Sequence, residues 1–371
     1  MHIAIFGGGQ LARMMALAGW PLGYRFTFLT EPGEGVDGVA GLGNIVVRES
    51  DWSGNTLYHA LGQPDVVTVE REQVDVELLR SLTTLCAVYP NPEAISICQH
   101  RSREKTFLQS LDIPVAPFRL VSPSDDLAAA VAALDGAVFI KSCEMGYDGQ
   151  NQWRISDVSE LGEQLPPHER PELVVEQKIT FDRELSLIAA RSRSGDTLFY
   201  PLTENRHKAS ILLSSLAPAP ALAQRTQQQA EEIATRLLQA WDYVGVLAIE
   251  FFDVGGELLV NELAPRVHNS GHWTQNAGIC SQFENHLRTI TGQAPGQGTP
   301  ARPSAMLNLL GLPAPQDIAF EPDAYLHWYN KAVRPRRKVG HINFQADDAE
   351  VLAARLHDLE RALYGQGDAL E

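Results

Sequence analysis

Hydrophobic and polar positions alternate in two rhythms along the first ninety residues. Short apolar runs at His2–Phe6, Tyr24–Leu29 and Val66–Glu70 read as strands. Between the first two, Leu11, Met14, Met15 and Ala18 recur at i, i+3, i+4 and i+7, which predicts a helix from Gln10 to Trp20 with one apolar stripe to lay on a sheet. Pro21 and Gly23 should stop it. Strands alternating with helices in this way make a parallel α/β pattern.

The rhythm changes at Pro90-Asn91-Pro92, because closely spaced prolines break both helix and ladder. Beyond it the pattern predicts a helix at Arg103–Leu111, strands at Val138–Lys141 and Leu173–Gln177, and a glycine-containing loop, Glu144–Asn151. A strand at Leu185–Ala190, a long helix at Gln224–Trp241 and a hairpin at Val246–Leu263 follow, an α+β order rather than a doubly wound one. Gly292–Pro303, with three glycines and three prolines, reads as a linker to a C-terminal module of short strands and a final helix near Ala349–Leu363.

Composition narrows the function classes. The 371 residues suffice for roughly two to three domains, and 44% hydrophobic with 20% charged residues is ordinary for a globular protein. No apolar run reaches the roughly 18–20 residues of a membrane span, and the N-terminus lacks the basic segment of a secretory signal, so a cytoplasmic protein is expected. Cys86, Cys98, Cys143 and Cys280 show no CxxC spacing and are expected as reduced thiols without a zinc site. A net charge of −16 argues against a general binder of nucleic acid or anionic membrane, so any anion site must be local.

Gly7-Gly8-Gly9-Gln10-Leu11-Ala12 fits G-x-G-x-x-[GA] after a strand and before a helix, with Glu31 about twenty residues on. A dinucleotide, a phosphorylated small molecule or a tight turn without ligand all satisfy it. Lys141 ends an apolar strand and is followed by Gly146-Tyr147-Asp148-Gly149, a cation beside a loop with free N–H groups. At Glu176-Gln177-Lys178-Ile179 a strand end could bond an adenine edge while a carboxylate takes ribose hydroxyls.

Glu250 and Glu262 sit inside apolar strands on either side of Gly255-Gly256, where desolvation is costly unless a cation compensates; Mg²⁺ is the natural one. They share a face only if the hairpin loop has an odd residue count or a bulge, and a regular four-residue loop, Asp253–Gly256, would separate them. The run from Ala264 to Asn276 is dense in hydrogen-bonding groups and reads as a substrate loop. Lys331, Arg334, Arg336, Arg337 and Lys338 place five cations within eight residues of an acidic chain.

Taken together these segments resemble the ATP-grasp superfamily, and within it the 5-(carboxyamino)imidazole ribonucleotide synthases of purine biosynthesis. The resemblance covers nearly the whole chain. It rests on GGGQLARM at 7–14, HRSREKTFL at 100–108, GYDG at 146–149, VEQKITFDRELS at 175–186 and FYPLTEN at 199–205. AIEFF at 248–252, NELAPRVHNSGHWTQN at 261–276 and HWYNKAVRPRRKVGHIN at 327–343 complete it, the second being the most specific.

The resemblance implies an ATP-grasp fold, α/β and α+β, in three units: a Rossmann-like N-terminal domain at 1–95, an ATP-grasp body at 96–291 with a lid at about 112–180, and a small β-rich module at 292–371. It implies a ligase that joins ATP, bicarbonate and 5-aminoimidazole ribonucleotide through carboxyphosphate, with Mg²⁺, as a homodimer in the cytoplasm. Arg101, Lys105 and Lys141 would hold phosphates under the loop Gly146, Tyr147, Asp148, Gly149, Gln150, Asn151, Gln152. Glu176, Gln177, Lys178 and Ile179 would form the adenine hinge, Glu184 would meet the ribose, and His207 would lie near the nucleotide. Glu250 and Glu262 would bind Mg²⁺ beside Asn261. Arg266 and His268 would hold bicarbonate, with Asn269 in the catalytic set. The ribonucleotide would lie over Gln10 and Leu11 and meet Tyr147, Asp148 and Arg266, its phosphate on Lys331 and Arg337; Asp148 could take the amine proton.

Ala12 departs from the family's usual glycine, as do Met145 and the Gln150-Asn151 pair, which replaces a basic residue and a glycine, so the lid loses a cation. The competing readings are an NAD-dependent oxidoreductase, based on the glycine turn, and a non-catalytic ATP-binding scaffold.

Overall fold

The structure is a computed structural model. It describes residues 1–50, 52–123, 125–134, 137–144, 151–161, 172–314, 316 and 322–365.

The N-terminal rhythm folds into a five-stranded parallel sheet, ordered Asn44–Val47, Arg25–Thr30, His2–Phe6, Val66–Val69, Ala87–Val88. The first helix, Gln10–Gly19, buries Leu11, Met14 and Met15 as its stripe requires. It yields to a 3₁₀ turn at Trp20–Leu22, because Pro21 cannot donate to an α-helical ladder, and Gly23 closes the turn with φ 74°. The boundary near Pro92 is a shared helix rather than a bare linker: on Pro92–Cys98, Ile95 packs into the N-terminal core and Ala94 into the core of the body.

The body carries two antiparallel sheets. The smaller is ordered Phe118–Val121, Leu173–Gln177, Val138–Ser142, Gln152–Ile155. The larger has nine strands and runs from the hairpin Gly245–Val254 and Glu257–Ala264 through Arg183–Arg191, Thr203–Lys208 and Ile211–Ala217. It then continues without a break into Ser304–Leu310, Lys338–Gln345 and Ala324–Trp328. The C-terminal strands therefore extend the body's sheet, and the Gly292–Pro303 stretch is a crossover between strands of one sheet. Helix Ala349–Tyr364 covers the C-terminal end, burying Leu352 and Leu356 against Leu307, Leu309 and Phe344.

Side-chain alternation sorts the large sheet into two faces. Leu185, Leu187, Ile249, Phe251, Val260 and Leu263 turn to one side and pack on helix Gln224–Ala240 through Ile233, Ala234 and Leu237. The apolar neighbours of Glu250 and Glu262 belong to that face. The carboxylates belong to the other, which opens on a cleft.

Candidate active site

A cavity of about 780 Å³ lies where the three sheets meet. The hairpin supplies two of its carboxylates, Glu250 and Glu262. Val254 pairs with Glu257, so the loop is the two-residue Gly255-Gly256 with φ 62° and 89°, the left-handed pair that a tight hairpin turn demands. An even loop would set Asn261 opposite Glu250. Instead the register shifts at this point: Phe251 faces Val260, Asn261 is the extra residue of a bulge, and Glu250 stands directly opposite Glu262.

Helix Arg101–Ser110 braces this bulge. Lys105 Nζ donates to the Asn261 carbonyl at 3.0 Å, and Glu104 accepts from the Leu263 N–H at 3.3 Å. The Glu104 carboxyl is pushed up to about 8, first by burial and then by the charge of Glu262. Glu262 itself is exposed, so the expectation that both carboxylates are desolvated fails for it. Glu250 is pushed up to about 7 by burial, with His207 drawing it down and Glu262 raising it.

The same face continues across the sheet as a polar stripe. Ser186 lies opposite Glu250, Asn205 Nδ2 donates to Ser186 Oγ at 2.9 Å, and Ser215 Oγ donates to Asn205 at 2.8 Å. Glu184 and His207 Nδ1 are 2.5 Å apart. Burial would push His207 down, but the Glu184 bond and the charges of Glu250 and Glu184 hold it above its ordinary value.

From the smaller sheet comes a cation–anion–cation array. Glu176 is buried, with Lys105 Nζ at 3.1 Å and Lys141 Nζ at 2.5 Å. Burial alone would raise its carboxyl, yet Lys105 and Lys141 hold it at about 2. Two expectations change here. Lys105, 2% exposed, lies behind the cavity wall as a brace between Glu176 and Asn261. At the predicted adenine hinge the Gln177 and Lys178 N–H groups already donate to the Pro117 and Ala137 carbonyls, so Gln177 and Ile179 line the cavity while exposed Lys178 does not.

In the run Ala264 to Asn276, Arg266 Nε lies 2.8 Å from Glu72. His268 Nε2 lies 3.3 Å from Glu250, and Nδ1 pairs with Ser270 Oγ at 2.9 Å. Burial, reinforced by Arg266 and Lys338, holds His268 well below its usual range, so it is neutral. Asn269 exchanges amide hydrogen bonds with Asn308.

At the N-terminal wall, Glu70 reaches into the glycine turn and accepts from the Gly9 N–H at 2.5 Å and the Ala12 N–H at 2.8 Å. A Cβ on Gly7 would come within 2.3 Å of the Glu70 side chain, which explains the glycine. The chain's own carboxylate thus fills the place where a dinucleotide would put its pyrophosphate, and Glu31 bonds Arg48 instead of a ribose. The NAD reading fails on this geometry.

The cavity collects Gln10, Leu11, Arg101, Lys141, Gln152 and Glu176, then Glu184, His207, Glu250, Asn261 and Glu262, and finally Arg266, His268, Asn269 and Lys331. Asn151, at φ 52°, lies beside the wall and bonds the Ser142 N–H through its carbonyl. Arg337 does not line the cavity; its guanidinium donates to the Ala332 carbonyl, while Lys331 bonds the Gln10 side chain. Gly146, Tyr147, Asp148, Gly149 and Gln150 lie outside the described residues. Sequence reading missed Glu70, Glu72, Phe139 and the lining role of Lys338. The position of Lys338, two residues before the VGHIN strand's Gly340, was the available signal for the last of these.

Comparison with known proteins follows this layout. Residues 1–99 match the ribonucleotide synthetase preATP-grasp domain, 106–283 the ATP-grasp domain, and 304–355 the phosphoribosylaminoimidazole carboxylase C-terminal domain. A Vibrio cholerae protein named N5-carboxyaminoimidazole ribonucleotide synthase is 40% identical over 374 residues, 98% of this chain and 96% of that one. The crystal structure of N5-carboxyaminoimidazole ribonucleotide synthetase from Thermus thermophilus superposes with a TM-score of 0.89 at 44% identity, covering 97% of this chain and 98% of that one. The Aspergillus clavatus N5-carboxyaminoimidazole synthase, in complex with ADP and 5-aminoimidazole ribonucleotide, gives 0.85 at 28% identity, over 96% and 98% of the chains.

Proposed function

The chain belongs to the N5-carboxyaminoimidazole ribonucleotide synthase family of ATP-grasp ligases, and from that premise we propose how its cleft works. It is an ATP-dependent ligase that forms a C–N bond, carboxylating 5-aminoimidazole ribonucleotide in purine biosynthesis. The observation that carries the residue assignments is the Asn261 bulge, which turns Glu250 and Glu262 onto one face opposite the Lys141 and Arg101 wall.

In this reading the adenine lies against Phe139 and Ile179, the ribose meets Glu184, and Lys141 and Arg101 bind phosphate oxygens. Two opposed carboxylates, one of them raised by burial and further by its neighbour, suit a hard divalent ion; Mg²⁺ on Glu250 and Glu262 would offset charge on the transferring phosphoryl group. Arg266, fixed by Glu72, and neutral His268 hold bicarbonate so that one of its oxygens faces the γ-phosphorus. Attack gives carboxyphosphate and ADP. The ribonucleotide amine then takes the carboxyl carbon, phosphate leaves, and the proton that the amine gives up passes in this reading to Asp148. Lys331 and Gln10, bonded across from the N-terminal domain, mark the ribonucleotide end, and Lys338 supplies a second cation there.

No helix among the described residues is long and apolar enough to cross a membrane, and we place the chain in the cytoplasm as a homodimer on the family resemblance. Light scattering of the purified chain tests the dimer. ADP release measured with ATP and Mg²⁺ tests the chemistry: it should require both bicarbonate and 5-aminoimidazole ribonucleotide for full rate. ATP binding without bicarbonate-dependent ADP release would make the chain a scaffold.

A further inference from the structure

A second group of ligating side chains lies outside the cleft, at the seam between the small sheet and the body. His100 precedes helix Arg101–Ser110, Cys143 follows strand Val138–Ser142, and Glu172 precedes strand Leu173–Gln177. The backbone locks these points together: the Cys143 N–H donates to the Glu172 carbonyl at 3.1 Å, and the Arg101 N–H to the Cys143 carbonyl at 3.0 Å. One ligand atom from each of the three side chains lies within 4.8 Å of the others.

The histidine is the unusual member. The residue is 9% exposed and its side chain 11%; among the described residues Nδ1 has no hydrogen-bond partner, and Nε2 faces carboxylate oxygens at 3.6 Å (Glu172) and 3.9 Å (Glu144). Those separations are too long for hydrogen bonds. They are close to the spacing of two ligands on one ion, since metal–nitrogen and metal–oxygen bonds of about 2.0–2.2 Å at a tetrahedral angle put the donors about 3.3–3.6 Å apart. Cys143 is buried, while Glu172 keeps 40% of its side chain exposed and leaves a path in from solvent.

We propose that His100, Cys143 and Glu172 bind one divalent transition-metal ion of the zinc class, with Glu144 as the adjacent fourth donor. One sulfur, one imidazole nitrogen and one carboxylate suit a borderline-soft ion and not Mg²⁺ or Ca²⁺, which take oxygen donors. Coordination replaces the thiol proton, which passes to solvent. The cysteine spacing along the chain carries no sign of this site, because the three ligands come from segments that only the fold brings together. The ion would tie the base of the small sheet to the helix that carries Arg101 and Lys105.

The test uses the full chain, stripped with EDTA and titrated with Co²⁺ or Zn²⁺ alone. One equivalent of Co²⁺ should give a thiolate-to-cobalt charge-transfer band in the near ultraviolet, Zn²⁺ should displace it, and the melting temperature should rise. Cys143→Ser should abolish the band and His100→Ala should weaken Zn²⁺ binding by about 10-fold or more, whereas Cys98→Ser should change neither. X-ray absorption on the Zn²⁺-loaded wild type should show one sulfur among nitrogen and oxygen scatterers, which decides the matter even if Cys143→Ser fails to fold. A zinc shell without sulfur, a band that survives Cys143→Ser, or no metal uptake overturns the proposal.

Discussion

Glu250 and Glu262 stand opposite each other, so the metal-free chain holds two carboxylates side by side, and exchanging Glu262 for Gln should stabilise it. Directly opposed residues of an antiparallel pair have Cβ atoms about 5 Å apart. Two unit charges at that distance repel by about 3 kcal/mol at an effective dielectric of 20 and by about 1 kcal/mol in water. Glu262 is exposed, which puts the figure at the lower end. Relief of about 1 kcal/mol should raise Tm by about 2 °C in a chain of this size. With Mg²⁺ the order should invert: wild type gains about 2.7 kcal/mol at a hundredfold excess over Kd, and Glu262→Gln loses most of that gain.

The pH adds a second signature. Glu250 is raised from 4.5 to about 7, chiefly by burial, so its contribution to stability is complete below its unfolded value and is lost as pH rises through about 7. Below that point Glu250 is protonated and the pair no longer repels. The advantage of Glu262→Gln in EDTA should therefore vanish near pH 5.5 and be clear at pH 8, where Glu104, raised to about 8 by burial and then by the charge of Glu262, begins to add to it. Thermal melts in EDTA and in Mg²⁺ across this range measure both effects. If Glu262→Gln melts below wild type in EDTA at pH 8, or if Mg²⁺ raises both proteins equally, the two carboxylates do not form the ion's site.

Four further substitutions test the site. Glu176→Gln leaves the buried Lys105 ammonium without its carboxylate and should cost about 3–5 kcal/mol in denaturant melts at pH 7. Because Glu176 is held at about 2, its contribution is present above 4.5 and lost as pH falls through about 2, so the gap to wild type should narrow over that window. Lys331→Met should raise the KM for 5-aminoimidazole ribonucleotide by about tenfold or more, one charge-assisted hydrogen bond being worth about 1.5–3 kcal/mol, and leave the KM for ATP unchanged. Arg337→Ala, outside the cavity wall, should do less than Lys331→Met, and equal effects would return the phosphate to Arg337. Gln150→Arg, restoring the family's cation, should lower the dissociation constant for ATP more than that for the ribonucleotide in calorimetric titration, and an equal gain for both would refute a nucleotide-lid role.

The elements themselves were legible because periodicity is a local property: the stripe Leu11, Met14, Met15 and the run His2–Phe6 need no information from elsewhere. The motifs placed most of the cavity wall for the same reason. What the sequence hid were the meetings of distant residues. Glu70 reaches Gly9 from 61 positions away, and nothing in a glycine fingerprint says whether its helix N-terminus will be filled by a ligand or by a neighbouring strand's side chain. Arg266 was readable as a cation, but its pairing with Glu72 was not. Strand parity posed the question of Glu250 and Glu262 correctly, yet the answer depends on one bulge whose position neither strand's pattern marks.

That bulge connects two parts of the cleft that the motifs treat as separate. An extra residue in a strand leaves backbone groups outside the ladder, and a buried carbonyl without a donor is costly. The Asn261 carbonyl finds its donor in Lys105, and Lys105 is also bound to Glu176, whose other oxygen holds Lys141. One ammonium therefore fixes both the register that aims the carboxylate pair and the carboxylate that positions a cation of the cavity wall. Since Lys105 is 2% exposed, it cannot leave this position to follow a nucleotide without stranding Asn261 and Glu176 together. The lysine that the resemblance assigns to a phosphate is, in this fold, the tie between the small sheet and the Glu250–Glu262 hairpin, and Lys141 is the cation of that array left lining the cavity.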